Sequence, residues 1–255
     1  MIGVFDSGAG GLSVVRALKA KFPDLALLYF GDTARVPYGN KSPELIKQYT
    51  GEAIEFLIKQ GASTIIIACH TASAVAAGDI RKQFDIPIFD VAKPGVEKAI
   101  AEAKEKVGVI GTSTTTKSQV HAKMIKKQRK DLEIINKACP LFVPLVEEQW
   151  LDSPVTRNIA EIYLEPLRKA GIDTLILACT HYPWLRNVIQ ATMGEDVRLV
   201  DPAEELAENL AQDIDKYEMD SKKDRFFASD ATPTLEQLAR TFLANPPQIE
   251  IVKLT

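Results

Sequence analysis

The sequence is poor in the residues that staple small secreted or metal-bound proteins together. Its 255 residues include three cysteines, three histidines and two tryptophans. An odd, small number of thiols in so long a chain argues against a disulfide framework, and leaves Cys69, Cys139 and Cys179 as reduced side chains. No apolar run approaches the roughly 20 residues needed to span a bilayer. The opening MIGVFDSG lacks the basic and long apolar regions of a signal peptide, so no membrane partner and a cytoplasmic location are expected. A net charge of −3 gives no general attraction to nucleic-acid phosphates. With 46% hydrophobic and 25% charged residues, the chain reads as ordinary globular protein, long enough for one large domain or two of usual size.

What the chain does contain is a phrase used twice. Residues 64–72 read TIIIACHTA and residues 174–182 read TLILACTHY. Each is an apolar run of strand type ending in Ala-Cys, followed by threonine and histidine. In open α/β sheets ligands bind at the carboxyl ends of strands, so each half delivers one thiol to such an end.

The surrounding pattern is βα alternation. IGVF leads through DSGAGG into a helix, ALLYFG into the long loop GDTARVPYGNKSPE, and a helix from Ser42 to about Gln60 precedes STIIIA. One helix from about Thr71 to Phe84 and the strand IPIFD follow, and near Lys93-Pro94-Gly95 the pattern restarts. KVGVIGTSTTT repeats the form of IGVFDSGAGG; then come one helix over about 116–130, the strand LEIINKA and a partly apolar loop, ACPLFVPLVEEQW. A helix over about 154–170, TLILA, VRLVD and a helix from Pro202 to about Lys216 complete a second half. RFFASD, a helix near 233–244 and QIEIVKL must join one of the two sheets. The expectation is an α/β fold of two pseudo-symmetric, doubly wound domains with mainly parallel sheets, residues 1–91 plus 207–255 forming the first and 92–206 the second.

Cys139, before a proline and without an acid or base beside it, reads as a small packed hydrophobe. For Cys69 and Cys179 three chemistries compete. A Cys2His2 metal site with His70 and His181 is disfavoured because neighbours in an extended segment point to opposite faces and no Cys-x2-Cys spacing occurs. A cysteine hydrolase using Cys179 and His181 leaves Cys69 without a role. Proton transfer at a stereocentre uses both thiols, one removing a proton from one face and the other returning one to the opposite face. Asp6 and His181 would adjust the thiols' protonation. DSGAGG lacks the endings of a P-loop and of a dinucleotide turn, so ATP and NAD are not expected. A small carboxylate suits it better, with Ser7, Thr71, Thr180 and the Pro37-Tyr38-Gly39 backbone completing a cradle.

GVFDSGAGGLSV, GDTARVPYG, ACHTAS, GVIGT, CPLFVPLVEE and LACTHYP occur in that order. In them the chain resembles the glutamate racemases of the aspartate/glutamate racemase superfamily over essentially its whole length. The resemblance implies a site in the cleft between the two domains, a homodimer, and cofactor-independent, metal-free interconversion of L- and D-glutamate for peptidoglycan. By motif, Cys69 would be the base toward D-glutamate and Cys179 the base toward L-glutamate. Asp6 would assist the first and His181 the second, with Asp32 and Glu147 as supporting carboxylates. Ser7, Pro37, Tyr38, Gly39, His70, Thr71 and Thr180 fall on substrate-binding positions. Because the sequence begins directly with its first strand, the amino-terminal extension linked in some members to activation by a cell-wall precursor is not expected. The family motif is Cys-Asn-Thr, so His70 is a departure. It motivates an alternative, a binding protein of altered specificity or without turnover on the same scaffold.

Overall fold

A computed structural model describes residues 1–212, 223–243 and 245–254. The first sheet-forming stretch runs β1 (Ile2–Asp6), α1 (Leu12–Lys21), β2 (Leu27–Gly31), α2 (Pro43–Lys59), β3 (Thr64–Ile67), α3 (His70–Val75), α4 (Ala77–Gln83) and β4 (Ile88–Asp90). The second runs α5 (Ala92–Glu102), β5 (Lys106–Gly111), α6 (Ser113–Ser118), α7 (Val120–Gln128), β6 (Glu133–Ala138), α8 (Phe142–Glu147), α9 (Pro154–Ala170), β7 (Thr174–Ala178), α10 (Arg186–Met193) and β8 (Arg198–Val200). After α11 (Pro202–Ala211) come β9 (Arg225–Ala228), α12 (Pro233–Phe242) and β10 (Ile249–Ile251).

Two parallel sheets result, ordered β10-β9-β2-β1-β3-β4 and β6-β5-β7-β8. The order β2-β1-β3-β4 recurs as β6-β5-β7-β8, so the expected internal symmetry is a symmetry of strand order. The carboxyl-terminal strands extend the first sheet beyond β2. Strands β1, β2, β3 and β7 are buried along their whole length, as sheets covered by helices on both faces require. Helix α11 packs against both α1 and α5 and so bridges the two sheets' helical layers.

Local signals explain most boundaries. Ser42 caps α2 by accepting from the Leu45 N–H, and Gly61, at φ 99°, follows its end. Ser153 caps α9, which Gly171 terminates at φ 70°.

The structure also corrects several expectations. The helix over 71–84 is broken at Ala76 into α3 and α4, and the one over 116–130 at Gln119, whose φ of 58° lies in the left-handed region. Lys93-Pro94-Gly95 lies inside the first turn of α5, where the proline's missing N–H has no intrahelical partner to lose. The segment read as a loop before Trp150 holds α8, and α10 had no counterpart in the sequence reading. The long loop after β2 contains two 3-10 turns, Thr33–Arg35 and Tyr38–Asn40. Helix α12, expected to reach about residue 244, ends at Phe242, where Leu243 is extended, and the expected extension of α11 to Lys216 lies beyond residue 212, outside the described residues. Among those residues, no helix is long and apolar enough to cross a membrane.

Asp173, just before β7, ties the start of this sheet together. Its carboxylate accepts from the N–H groups of Lys104 (3.1 Å), Glu105 (2.8 Å) and Lys106 (2.9 Å), and from the Thr174 hydroxyl (2.8 Å). Burial alone would raise this carboxyl; the backbone donors outweigh it and hold it below its usual value. A depressed acid stabilises the fold above its unfolded value and loses that contribution as pH falls through the folded one. Asp173→Ala should therefore cost about 1–3 kcal/mol at pH 7 in urea unfolding, with the gap to wild type narrowing below about pH 4.

Candidate active site

In each sheet the crossover leaving the central strand runs one way, β1 to β2 and β5 to β6, and the crossover leaving its other neighbour runs the opposite way, β3 to β4 and β7 to β8. The crevice at the carboxyl ends of β1 and β3, and of β5 and β7, is therefore left open by the connections. Cys69 caps α3 just beyond β3, and Cys179 follows β7 directly. Both thiols line one cavity of about 370 Å3, within the size range of small-ligand sites.

Ser7, Pro37, Tyr38, Gly39, His70, Thr71, Glu147, Thr180 and His181, all expected from the sequence, line it too. Asp6 and Asp32 do not. Asp6 is fully buried behind the wall, accepting from the Gly8 N–H (2.9 Å) and the Thr180 hydroxyl (3.3 Å). Asp32 meets the cavity only through Tyr38, whose hydroxyl donates to it at 2.5 Å; Arg35 Nε and the Ser229 hydroxyl, both at 2.7 Å, complete its coordination. Arg35 also pairs with Glu52, which pins the loop carrying Pro37, Tyr38 and Gly39.

The sequence reading missed Gly8, Val36, Asn40, Thr112, Ser113, Pro140, Val143 and Pro144 on the cavity wall. The signal for two of them was present. The turn GTSTTT after β5 repeats the form of DSGAGG after β1, and Thr112-Ser113 follows β5 as Ser7-Gly8 follows β1. Thr112 caps α6 and bonds Thr71 of the other sheet at 2.9 Å, while Thr115 lies 3.3 Å from the same Thr71 hydroxyl. Thr114 donates to the Gly39 carbonyl at 2.8 Å. The DSGAGG turn, expected to help cradle a small carboxylate, borders the cavity with its first residues after Asp6. Only Ser7 and Gly8 reach the cavity, whereas Gly10 leaves room for the second cysteine motif. A Cβ there would lie 2.3 Å from Thr180 Oγ1 and 2.5 Å from His181 Nδ1.

The two thiols sit in unlike surroundings. Cys69 donates to the Ser7 hydroxyl at 3.3 Å; burial, reinforced by the negative field of Asp6, pushes its pKa up to about 12. Burial also raises Asp6. Cys179 Sγ lies 3.9 Å from His181 Nδ1, and His181 Nε2 lies 3.1 Å from Glu147 Oε1. Burial would lower this imidazole, but its contacts with Cys179 and Glu147 prevail and hold it at about 10. His181 is thus a cation at neutral pH, set between a sulfur and a carboxylate. Cys139 is fully buried away from the cavity, and its carbonyl accepts from the Tyr182 hydroxyl at 2.8 Å.

Cys69 and His70 do not form an extended pair, because His70 opens α3. Among the described residues, no group of three or more His, Cys, Asp or Glu side chains is arranged to hold a metal ion. A larger cavity of about 820 Å3, bordered by Arg81, Asp90, Lys93 and Glu97, contains neither thiol.

Two like parallel sheets, each placing a cysteine beyond the strand beside its centre on the wall of one shared cleft, define a class of two-sheet α/β protein. Comparison with known proteins specifies it further. A family model described as Asp/Glu/Hydantoin racemase matches residues 11–210. The chain is 45% identical over 260 residues to the glutamate racemase of Syntrophus aciditrophicus, covering 99% of this chain and 96% of that protein. It is 43% identical over 248 residues to that of Geobacter metallireducens, covering 95% and 92%. The crystal structure of Francisella tularensis glutamate racemase in complex with D-glutamate superposes with a TM-score of 0.92 at 35% identity, covering 99% of this chain and 97% of that one. A glutamate racemase isoform from Bacillus anthracis gives 0.94 at 34%, covering 100% and 97%. The chain belongs to the Asp/Glu/hydantoin racemase family.

A raised histidine stabilises the fold fully below its unfolded value of about 6.5, and that contribution is lost as pH rises through about 10. Glu147→Gln removes one of the groups that raise it. NMR titration should show His181 charged throughout pH 6–9 in the wild type and titrating at least about one unit lower in the variant.

Proposed function

We propose that this protein interconverts L- and D-glutamate by proton transfer between Cys69 and Cys179, without a cofactor. One observation carries the reading: two thiols at corresponding strand ends border one cavity, each with its own partners, Asp6 and Ser7 for Cys69, and His181 with Glu147 for Cys179. The names of relatives that match along nearly their whole length support glutamate as the substrate.

The unlike surroundings suggest a resting state. His181, held as a cation, stands beside the sulfur of Cys179, the base assigned to L-glutamate, while burial beside Asp6 keeps Cys69 as the thiol. The Cys179 thiolate takes the Cα proton of L-glutamate, and the Cys69 thiol gives its proton to the opposite face. One C–H bond breaks, another forms, and the configuration inverts with no change of oxidation state. The reverse reaction uses the same groups with their protons exchanged. The α-proton is only weakly acidic, so fixed donors must stabilise the carbanion-like transition state while water is excluded. Ser7, Thr71, Thr180 and His70 supply donors, and Asp32 acts by orienting Tyr38 and the loop around it. Closure of the two units over the substrate would complete the exclusion.

We extend the reading to D-glutamate supply for peptidoglycan, to a cytoplasmic homodimer, and to units spanning 1–91 with 207–255 and 92–206. The alternative of binding without turnover rests on His70 alone, and the relatives' names favour the enzyme.

Incubation of L-glutamate with the protein in D2O should abolish optical rotation while deuterium enters Cα. Cys69→Ser and Cys179→Ser should each lower racemisation by about 10²–10⁴-fold. A wild type that melts at higher temperature with glutamate but incorporates no deuterium would instead be the binding protein.

A further inference from the structure

His121 has no role in the scheme above, yet it is buried against a residue that does. His70 opens α3 and lines the cleft, only 4% exposed; His121 stands in the first turn of α7 and is 1% exposed. They belong to helices on different sheets. Their rings are inclined at 31°, with centroids 5.9 Å apart. The next residue, Thr71, bonds across the same seam to Thr112 and Thr115, so the backbone beneath His70 is tied to the opposite unit as well.

Two nitrogens of this pair, His70 Nδ1 and His121 Nε2, are buried without a hydrogen-bond partner. An N–H in such a position goes unsatisfied, and orphaned buried donors are rarer than under-satisfied acceptors. The proton of each neutral ring therefore belongs on its other nitrogen. For His70 that is Nε2, the nitrogen left to meet a ligand in the cleft.

We propose that His121 is a positioning residue. Its ring, reaching across the seam, seats His70 as a neutral imidazole protonated on Nε2, so that His70 offers the cleft one donor, suited to a substrate carboxylate oxygen and not to an ammonium group.

The surrounding charges agree with this assignment. Burial first, and His121 second, push His70 well below its ordinary value. Burial lowers His121 to about 4 against the opposing influence of Asp90 at the end of β4, and Asp90 is itself ion-paired with Arg81 of α4. Both rings are thus neutral at physiological pH. A cationic His70 would bind a carboxylate more strongly but would also change with pH. A neutral donor of fixed tautomer does not, and this gives the cleft wall a recognition group whose character is independent of the thiols' titration.

The proposal rests on the glutamate reading only for the source of the carboxylate, and its test separates the two. The chain has three histidines, so 15N-histidine labelling with single variants for assignment resolves each ring. His70 should remain neutral and protonated on Nε2 from about pH 5.5 to 8, and D-glutamate should shift that nitrogen. In His121→Ala the tautomer should become mixed and KM rise about tenfold while kcat stays within about threefold. His121→Phe keeps a ring face without a nitrogen, so its His70 spectrum and KM should resemble the wild type. The proposal is overturned by a wild-type His70 that is cationic or protonated on Nδ1, or by His121→Ala with unchanged tautomer and KM. Should that variant fail to fold, an altered His70 tautomer in folded His121→Phe overturns it equally. The tautomer is read without turnover, whereas missing deuterium exchange in the wild type counts against the glutamate reading alone.

Discussion

The site depends on a constraint of parallel sheets: consecutive strands must be joined by crossovers, and where these diverge from a central strand they leave a crevice at the carboxyl ends. Here the divergence occurs twice, at β1 and at β5, with the same strand order around each. The strand beside each centre, β3 or β7, then presents the residues that follow its end, and in both cases a cysteine stands one or two residues beyond it. One crevice alone would hold a thiol against a turn. Two brought together enclose a cavity with thiols from both sheets, and the seam of Thr71, Thr112 and Thr115 with the turn around Gly10 holds them in register.

Burial makes this arrangement chemically demanding. A thiol in a dry, apolar crevice favours its neutral form, which serves a proton donor but not a base. Different neighbours resolve the conflict on the two sides. Beside Cys179, His181 carries a positive charge that the Glu147 carboxylate sustains despite the imidazole's own burial. Beside Cys69 stands Asp6, whose negative field reinforces the effect of burial. A cleft that is symmetric in its backbone is therefore asymmetric in charge, an asymmetry that fits the proposed pairing of one base with one acid. The loop around Tyr38, anchored through Asp32 to Arg35 and Ser229, closes one rim and draws on the carboxyl-terminal β9 region for its support.

Much of this was legible in the chain because the signals are local. TIIIAC and TLILAC announce buried strands and their thiols, Ser42-Pro43 and Ser153-Pro154 announce helix starts, and Gly61 and Gly171 mark helix ends. The misreadings share a cause. The break at Ala76, the left-handed Gln119 and the short α8 are departures of the backbone that local propensity, a weak guide, does not announce. Proline and glycine in α5 marked a restart of the pattern without announcing a helix, because a first helical turn tolerates residues that its interior does not. Thr112 and Ser113 were hidden for another reason: their form was noticed, but their membership of the site follows only once the second sheet is set against the first.

By itself, the sequence determined the class of fold, the two thiols, and most of the side chains around them, since strand period, turn chemistry and motif spacing are properties of neighbouring residues. Only the tertiary structure decided which groups touch across the cleft: Gly10 against His181, Thr71 against Thr112, and His70 against His121. Those contacts join residues far apart in the chain. Burial and field, which set the thiols apart and keep His70 and the His121 behind it neutral, arise only when the two sheets enclose a common space and exclude water from it.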